Sequence, residues 1–242
     1  MFNENKNSNG KKRYLALILI SLIAMLLAIS IMGTVNAVDK KSLVFDKKLL
    51  GKNNKGYVQL IKLGNKNSKV KVAYIIGIHP LENAVHKSFY KNLLAKNGKL
   101  KYSYYVYKVV VTRNPKNYGA GRMNGQLLAN KFILPHAKRS KYNLLIDVHA
   151  NVGSVSAGYG KKNFLFAPLN SVKSKKIAIK IIRKIKGLHY SYPSSQTSPK
   201  YITNPLVRFG VKTIIFETYT YQSNKKINRL TKSLINVVDG LF

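Results

Sequence analysis

Val70-Lys71-Val72-Ala73-Tyr74-Ile75-Ile76-Gly77-Ile78-His79-Pro80-Leu81-Glu82 is the stretch that decides the fold. Apart from Lys71, Val70–Ile78 is a continuous apolar run rich in β-branched residues, the pattern of a strand buried on both faces. The run stops at His79 and Glu82, two residues able to bind a metal or move a proton. Helical spacing then takes over in Leu81–Asn97, with Val85, Phe89 and Leu93 on one stripe and Gly98 as a stop. A buried strand running directly into an amphipathic helix is the repeating unit of an α/β domain.

Working outward, three more runs read as buried strands: Tyr104–Thr112, Asn143–Val148 and Thr213–Tyr219. Tyr57–Leu63 and Phe164–Ala167 are shorter candidates. Gly125–Leu134 reads as a compact turn-and-helix ending at Pro135, and Ser171–Lys186 alternates an Ile face with a Lys face. Ile227–Leu241 packs Leu230, Leu234, Val237 and Val238 together. Gly51–Lys55 and Asn65–Ser68 read as loops. The expectation is one α/β domain, a mostly parallel (mixed) sheet flanked by helices.

The N-terminus reads differently. Lys11, Lys12 and Arg13 precede an apolar run from Tyr14 to Met32, and Val35-Asn36-Ala37 suits signal-peptidase subsites. The 19 residues Leu15–Gly33 would also span roughly 28 Å as a helix, enough to cross a bilayer uncleaved. Two readings of residues 1–37 therefore stand, a cleaved signal peptide or a transmembrane signal anchor. Both place residues 38–242 in an extracytoplasmic location, secreted or held by the N-terminal hydrophobic helix.

The chain has 43 Lys and Arg against seven Asp and Glu, a net charge of +36. Without residues 1–37 the net charge is +33. Such a surface suits an anionic cell-wall polymer or a membrane surface as partner. Compositional drift toward Lys, Asn, Ile and Tyr is the competing explanation. No nucleic-acid partner is expected, because no RNA- or DNA-binding signature with spaced aromatics occurs. The absence of cysteine excludes disulfides, a thiolate nucleophile and a thiolate-bound zinc.

In so basic a chain the acids are informative. Beyond residue 37 the only glutamates are Glu82 and Glu217, and Asp147 lies inside an apolar stretch. Three strands end in Ile78-His79, Val148-His149 and Phe216-Glu217. In open α/β sheets binding groups collect at the carboxyl ends of strands, so these residues can converge across gaps of 67 and 68 positions. Zinc accepts imidazole nitrogen and carboxylate oxygen, and a catalytic site uses three protein ligands with one position left for water. His79, Glu82 and His149 suit that set, and Glu217 is then the remaining glutamate for proton transfer. Other readings stay open at this point: His79 and Glu82 as a plain helix entry, or a helical His79/Glu82/His86 site. Asp147 is either a partner orienting His149 or a strand-end acid. His86, His136 and His189 read as surface residues.

The ordered set Gly77-Ile78-His79-Pro80-Leu81-Glu82, Asp147-Val148-His149 and Phe216-Glu217 resembles the zinc metallocarboxypeptidases. It is also similar to their relatives, the succinylglutamate desuccinylases and aspartoacylases. The resemblance runs from about Val70 to Tyr221. It implies a carboxypeptidase-like fold, Zn²⁺ held by His79, Glu82 and His149, and Glu217 as general base. It also implies an Arg that polarises the scissile carbonyl, for which Arg122 in Gly119-Ala120-Gly121-Arg122-Met123-Asn124-Gly125, read as a Gly-rich turn, is the candidate, with Arg113 as alternative.

The chain departs from the family in lacking an Asn-Arg pair before His149. Asn124, Asn130 beside Lys131, and Arg113 are the remaining substrate-binding candidates, and Lys does not reproduce a bidentate guanidinium grip. The family places substrate-binding residues in the region of the aromatic loop Tyr190–Tyr201. The resulting expectation is an exported zinc metallopeptidase or amidase acting on an amide bond, with cell-wall peptide as a candidate substrate. The alternatives are a zinc-dependent N-acyl amino-acid deacylase and a non-catalytic cationic wall-binding protein.

Overall fold

The computed structural model describes residues 17–21, 46–196 and 198–242. The chain divides into two units, Met1–Lys41 and Ser42–Phe242. In the first, residues 17–21 are helical; the rest of the expected signal or anchor segment lies outside the described residues. Among the described residues no helix is long and apolar enough to cross a membrane.

The second unit is built on eight strands: β1 (Asp46–Asn53), β2 (Gly56–Gly64), β3 (Lys71–Ile76), β4 (Ser103–Val111), β5 (Leu144–Asn151), β6 (Asn163–Phe166), β7 (Leu188–Tyr190) and β8 (Thr213–Tyr219). They form one mixed sheet in the order β1-β2-β4-β3-β5-β8-β6-β7. The central strands β4, β3, β5 and β8 run parallel, and antiparallel pairings join β1, β2 and β6 to them. The helices are α1 (Asn83–Ala95), α2 (Tyr118–Leu128), α3 (Leu134–Arg139), α4 (Val172–Ile182), α5 (Thr203–Arg208) and α6 (Asn224–Val238).

The near-continuous hydrophobicity of the central strands is explained by helices on both faces. Val72, Tyr74, Ile146, Val148, Ile214 and Phe216 pack with Phe89 and Leu93 of α1, Ile181 of α4 and Leu234 of α6. The alternate residues Ala73, Ile75 and Leu145 pack with Leu128, Ile133, Ala137 and Leu206 on the other face. Asp147, His149 and Glu217 continue the second set along their strands, so they face α2.

Several boundaries differ from those expected. β5 runs on through His149 to Asn151 because its pairing with β8 continues to Asn151 opposite Tyr219. β1, whose Gly51–Asn53 portion was expected as loop, is a polar edge strand with no buried residue, half of its residues exposed and half partly so. Gly119–Gly125 is helical and not a turn, opened by Asn117, whose side chain accepts from the Ala120 N–H at 2.8 Å. The helix does not end at Pro135. It passes through a π-helical turn, Ala129–Ile133, into α3, whose second residue is Pro135.

Two glycines set the distance between the sheet and the site. Gly77 leaves β3 at φ +87°, and a Cβ there would lie 2.2 Å from the Val109 carbonyl oxygen. Gly125 on α2 sits so close to the chain entering His79 that a Cβ would lie 1.8 Å from the Ile78 carbonyl oxygen. Gly125→Ala is expected to destabilise the domain by about 1–3 kcal/mol through overpacking. A lower urea midpoint at unchanged slope would register the loss.

Candidate metal and catalytic site

Beyond Ile76 the chain leaves the sheet and makes a tight turn in which the Glu82 N–H donates to the His79 carbonyl at 3.1 Å. This turn, ending in α1, places His79 and Glu82 side by side. β5 brings His149, and β8, in register with it, brings Glu217 directly opposite His149. All four side chains are buried.

Glu82 is the hub. Its Oε1 lies 2.7 Å from Nδ1 of His79 and accepts from Nη1 of Arg122 at 2.9 Å. Its Oε2 lies 2.9 Å from Nδ1 of His149 and accepts from the Ala150 N–H at 3.0 Å. Burial opposes ionisation of Glu82, but the two imidazoles outweigh it and hold the carboxyl well below its usual range. Burial likewise lowers His79 to about 4. Burial also disfavours charge on His149, yet Asp147 and Glu82 outweigh it and raise this ring well above its ordinary value.

The fit to a metal follows from the donor set. His79, Glu82 and His149 each offer a ligand atom, and these atoms lie within 4.8 Å of one another in a buried position. Two imidazole nitrogens and a carboxylate oxygen are the combination that catalytic zinc accepts. Each outer nitrogen has a polar neighbour. Nε2 of His149 is 3.0 Å from Oδ2 of Asp147, a close charge contact without hydrogen-bond geometry, and Nε2 of His79 is 3.2 Å from the Gln126 amide. Asp147 is therefore an electrostatic partner of His149. The helical His79/Glu82/His86 alternative does not form, since His86 lies outside the converging group.

A cavity of about 530 Å³ opens over this cluster, lined by His79, Glu82, Arg122 and Glu217, with Tyr118 and Tyr159 in its walls. Oε2 of Glu217 is buried without a hydrogen-bond partner. Burial pushes the Glu217 carboxyl up to about 8; His149 pulls it down and Glu82 adds to the rise. The group is thus a carboxyl with a raised affinity for a proton at the wall of a cavity. Arg122, on α2, lies against the Tyr118 ring with its guanidinium 5.1 Å from the ring centre. One of its nitrogens holds Glu82 while the fork retains further donors.

The other proposed binding residues do not join the cavity lining. Asn124 spends its amide on the Arg113 carbonyl at 2.8 Å, and Asn130 spends its own on the Tyr201 carbonyl at 2.7 Å. Arg113 is exposed, and the cavity wall is formed without it. From the loop Tyr190–Tyr201, Ser195 and Ser198 reach the cavity and its tyrosines do not.

Two histidines expected at the surface are inside. His86 is buried, and its Nε2 lies 2.9 Å from the Val148 carbonyl, bracing the strand next to His149. His136 is half-buried with Nδ1 2.7 Å from the Tyr107 hydroxyl. Neither was legible because each is buried by the packing of its helix on a distant strand. Gln126 and Tyr159 carried no motif; Gln126 lies one helical turn from Arg122, the only pointer to it.

No protein-family model matches the chain, and no curated protein matches it in sequence. Solved structures do. A protein of Burkholderia mallei described as a carboxypeptidase aligns with TM-score 0.58 and 15% identity, covering 86% of this chain and 65% of its own. A metallo-carboxypeptidase from Burkholderia cenocepacia aligns with TM-score 0.56 and 12% identity, covering 87% of this chain and 67% of its own. The tripeptide-bound cell shape determinant Csd4 of Helicobacter pylori aligns with TM-score 0.54 and 12% identity, covering 76% of this chain and 55% of its own. The chain thus spans about two thirds or less of the length of these structures. It shares the fold of these structures.

Proposed function

We propose that the chain is a zinc-dependent metallopeptidase or amidase that hydrolyses an amide bond in a peptide, with extracytoplasmic wall peptide as its substrate. The observation that carries the reading is one cavity, lined by His79, Glu82 and Glu217, that opens over the His79/Glu82/His149 donor set, with Glu217 as a separate carboxyl that has a free buried oxygen. The fold shared with a metallo-carboxypeptidase and with tripeptide-bound Csd4 supports a peptide substrate. The basic n-region and apolar run of residues 1–37 support export.

His79, Glu82 and His149 would hold the zinc, with Asp147 and Gln126 beside the two rings. Zinc held there would supply Lewis-acid polarisation of the carbonyl and would acidify water. Glu217 takes a proton from the attacking water and passes it to the departing amine nitrogen, so one carboxyl serves as base and then acid. Its raised proton affinity, caused chiefly by burial, suits both halves of that task. Arg122 turns its free donors to the carbonyl oxygen as negative charge develops there. Leu81, Tyr118, Val152 and Tyr221, exposed apolar residues at the cavity wall, offer contact surface for the flanking substrate.

Two experiments test this reading. The purified full chain is expected to release peptide fragments or free amines from crude wall peptide, to lose this activity to a zinc chelator, and to regain it with zinc. Release that persists without metal would overturn the zinc assignment. For location, protease added outside intact cells is expected to cleave the domain that contains His149. Protection until lysis would refute export and favour a deacylase acting on small internal substrates.

A further inference from the structure

A second cleft lies between the end of α4 and the outer face of α6, on the sheet face opposite α2. It encloses about 450 Å³, with Lys184, Lys186, Lys226 and Arg229 at its walls and Ile185 and Leu230 beneath them. The four cations are exposed, whereas Ile185 and Leu230 are buried. No acidic residue occurs in 172–187 or 224–238. Among the described residues the Lys and Arg ion pairs are Lys62–Asp46, Lys96–Asp239 and Arg122–Glu82, none of them in this cleft.

Helix energetics oppose this arrangement. Lys225 and Lys226 occupy the second and third positions of α6, where positive charge meets the positive end of the helix dipole. Lys225 and Arg229, and Arg229 and Lys232, are like-charge neighbours one turn apart. The helix forms nonetheless because its buried stripe, Ile227, Leu230, Leu234, Ile235 and Val238, is anchored in the core. Of these α6 cations, Lys226 and Arg229 line the cleft.

We infer that this cleft is a docking site for a linear polyanion that carries a negative charge at each repeat. Its anionic groups meet Lys184, Lys186, Lys226 and Arg229. A concave site walled by four cations suits a chain that enters it. A flat lipid surface would meet only the tips of the basic side chains. The cleft shares no lining residue with the catalytic cavity, so an occupant leaves that cavity open, and the inference stands independently of the hydrolase reading.

Long-chain inorganic polyphosphate is the probe. The full chain is compared with K184E/K186E/K226E/R229E and with K47E/K52E/K66E/K69E, which changes the net charge equally at exposed positions outside the cleft. Binding is measured at about 0.15 M salt, where exposed charges are screened beyond about 8 Å. The cleft variant is expected to bind at least about tenfold more weakly and with a shallower salt dependence, and the control to lose less than about threefold, because affinity follows direct anion contacts. Equal losses in both variants would overturn the inference and leave net charge as the whole explanation. Phosphatidylglycerol vesicles are the second probe. If the cleft variant loses as much affinity for vesicles as for polyphosphate, the surface is a lipid-binding one and the polymer assignment fails. Circular dichroism checks folding; should charge reversal disrupt it, the matched glutamine quadruples at the same two sets of positions give the same comparison.

Discussion

Glu217→Gln is expected to keep the bound zinc and to lower turnover by roughly 10²–10⁴-fold, the range for loss of a positioned general base. Gln has the shape of Glu but accepts no proton under these conditions. Glu217 stands outside the converging donor group, so its replacement leaves His79, Glu82 and His149 to hold the metal. Its Oε2 makes no hydrogen bond, so the substitution breaks none at that atom. Zinc content and hydrolysis rate measured on the same preparation separate the two roles. Loss of zinc along with activity would make Glu217 a ligand and remove the proposed base.

Glu82→Ala is expected to abolish activity and weaken zinc binding by at least about 100-fold. Loss of a partner behind a ligand already costs about 10–100-fold, and Glu82 is itself a donor. The substitution also removes the acceptor shared by His79, His149, Arg122 and the Ala150 N–H. Arg122 is left without its ion-pair partner, and His149 keeps Asp147 alone. Zinc titration of the two variants side by side gives opposite outcomes, retained in Glu217→Gln and lost in Glu82→Ala. Equal zinc affinity in Glu82→Ala and the parent chain would place the metal elsewhere.

Both results concern residues that stand out in the sequence, for a physical reason. His79, His149 and Glu217 each end an apolar run, and an α/β sheet brings such ends together. Scarcity of acid made Glu82 and Glu217 conspicuous. Thr213–Tyr219 is a strand with the expected limits, because both its faces are covered and its apolar run is uninterrupted. β1 was not legible, since an edge strand with no buried residue has no hydrophobic pattern to display. The helix α2 was misread for a different reason. Its glycines look like turn residues, but Gly121 and Gly125 serve close approach, Gly125 against the Ile78 carbonyl. That approach puts Gln126 beside His79 and Arg122 beside Glu82, contacts that no sequence spacing announces. Asn124 and Asn130, by contrast, were attractive only as residue types; tertiary packing commits both amides to backbone carbonyls.

Export and wall attachment rest on observations separate from the site. The apolar run and its basic flank address location, and the α4–α6 cleft addresses retention on an anionic matrix. Each can fail without touching the metal assignment, which depends on three side chains alone.

Those three side chains are tested most directly by X-ray absorption at the zinc edge on the purified, zinc-loaded full chain, with Glu82→Ala as the comparison. The account predicts one tightly held zinc whose first shell contains two imidazole nitrogens and oxygen donors at about 2.0–2.2 Å. It also predicts that this shell disappears in Glu82→Ala. A zinc that dialyses away from the parent chain, or a shell with fewer than two imidazoles, would contradict the His79/Glu82/His149 site.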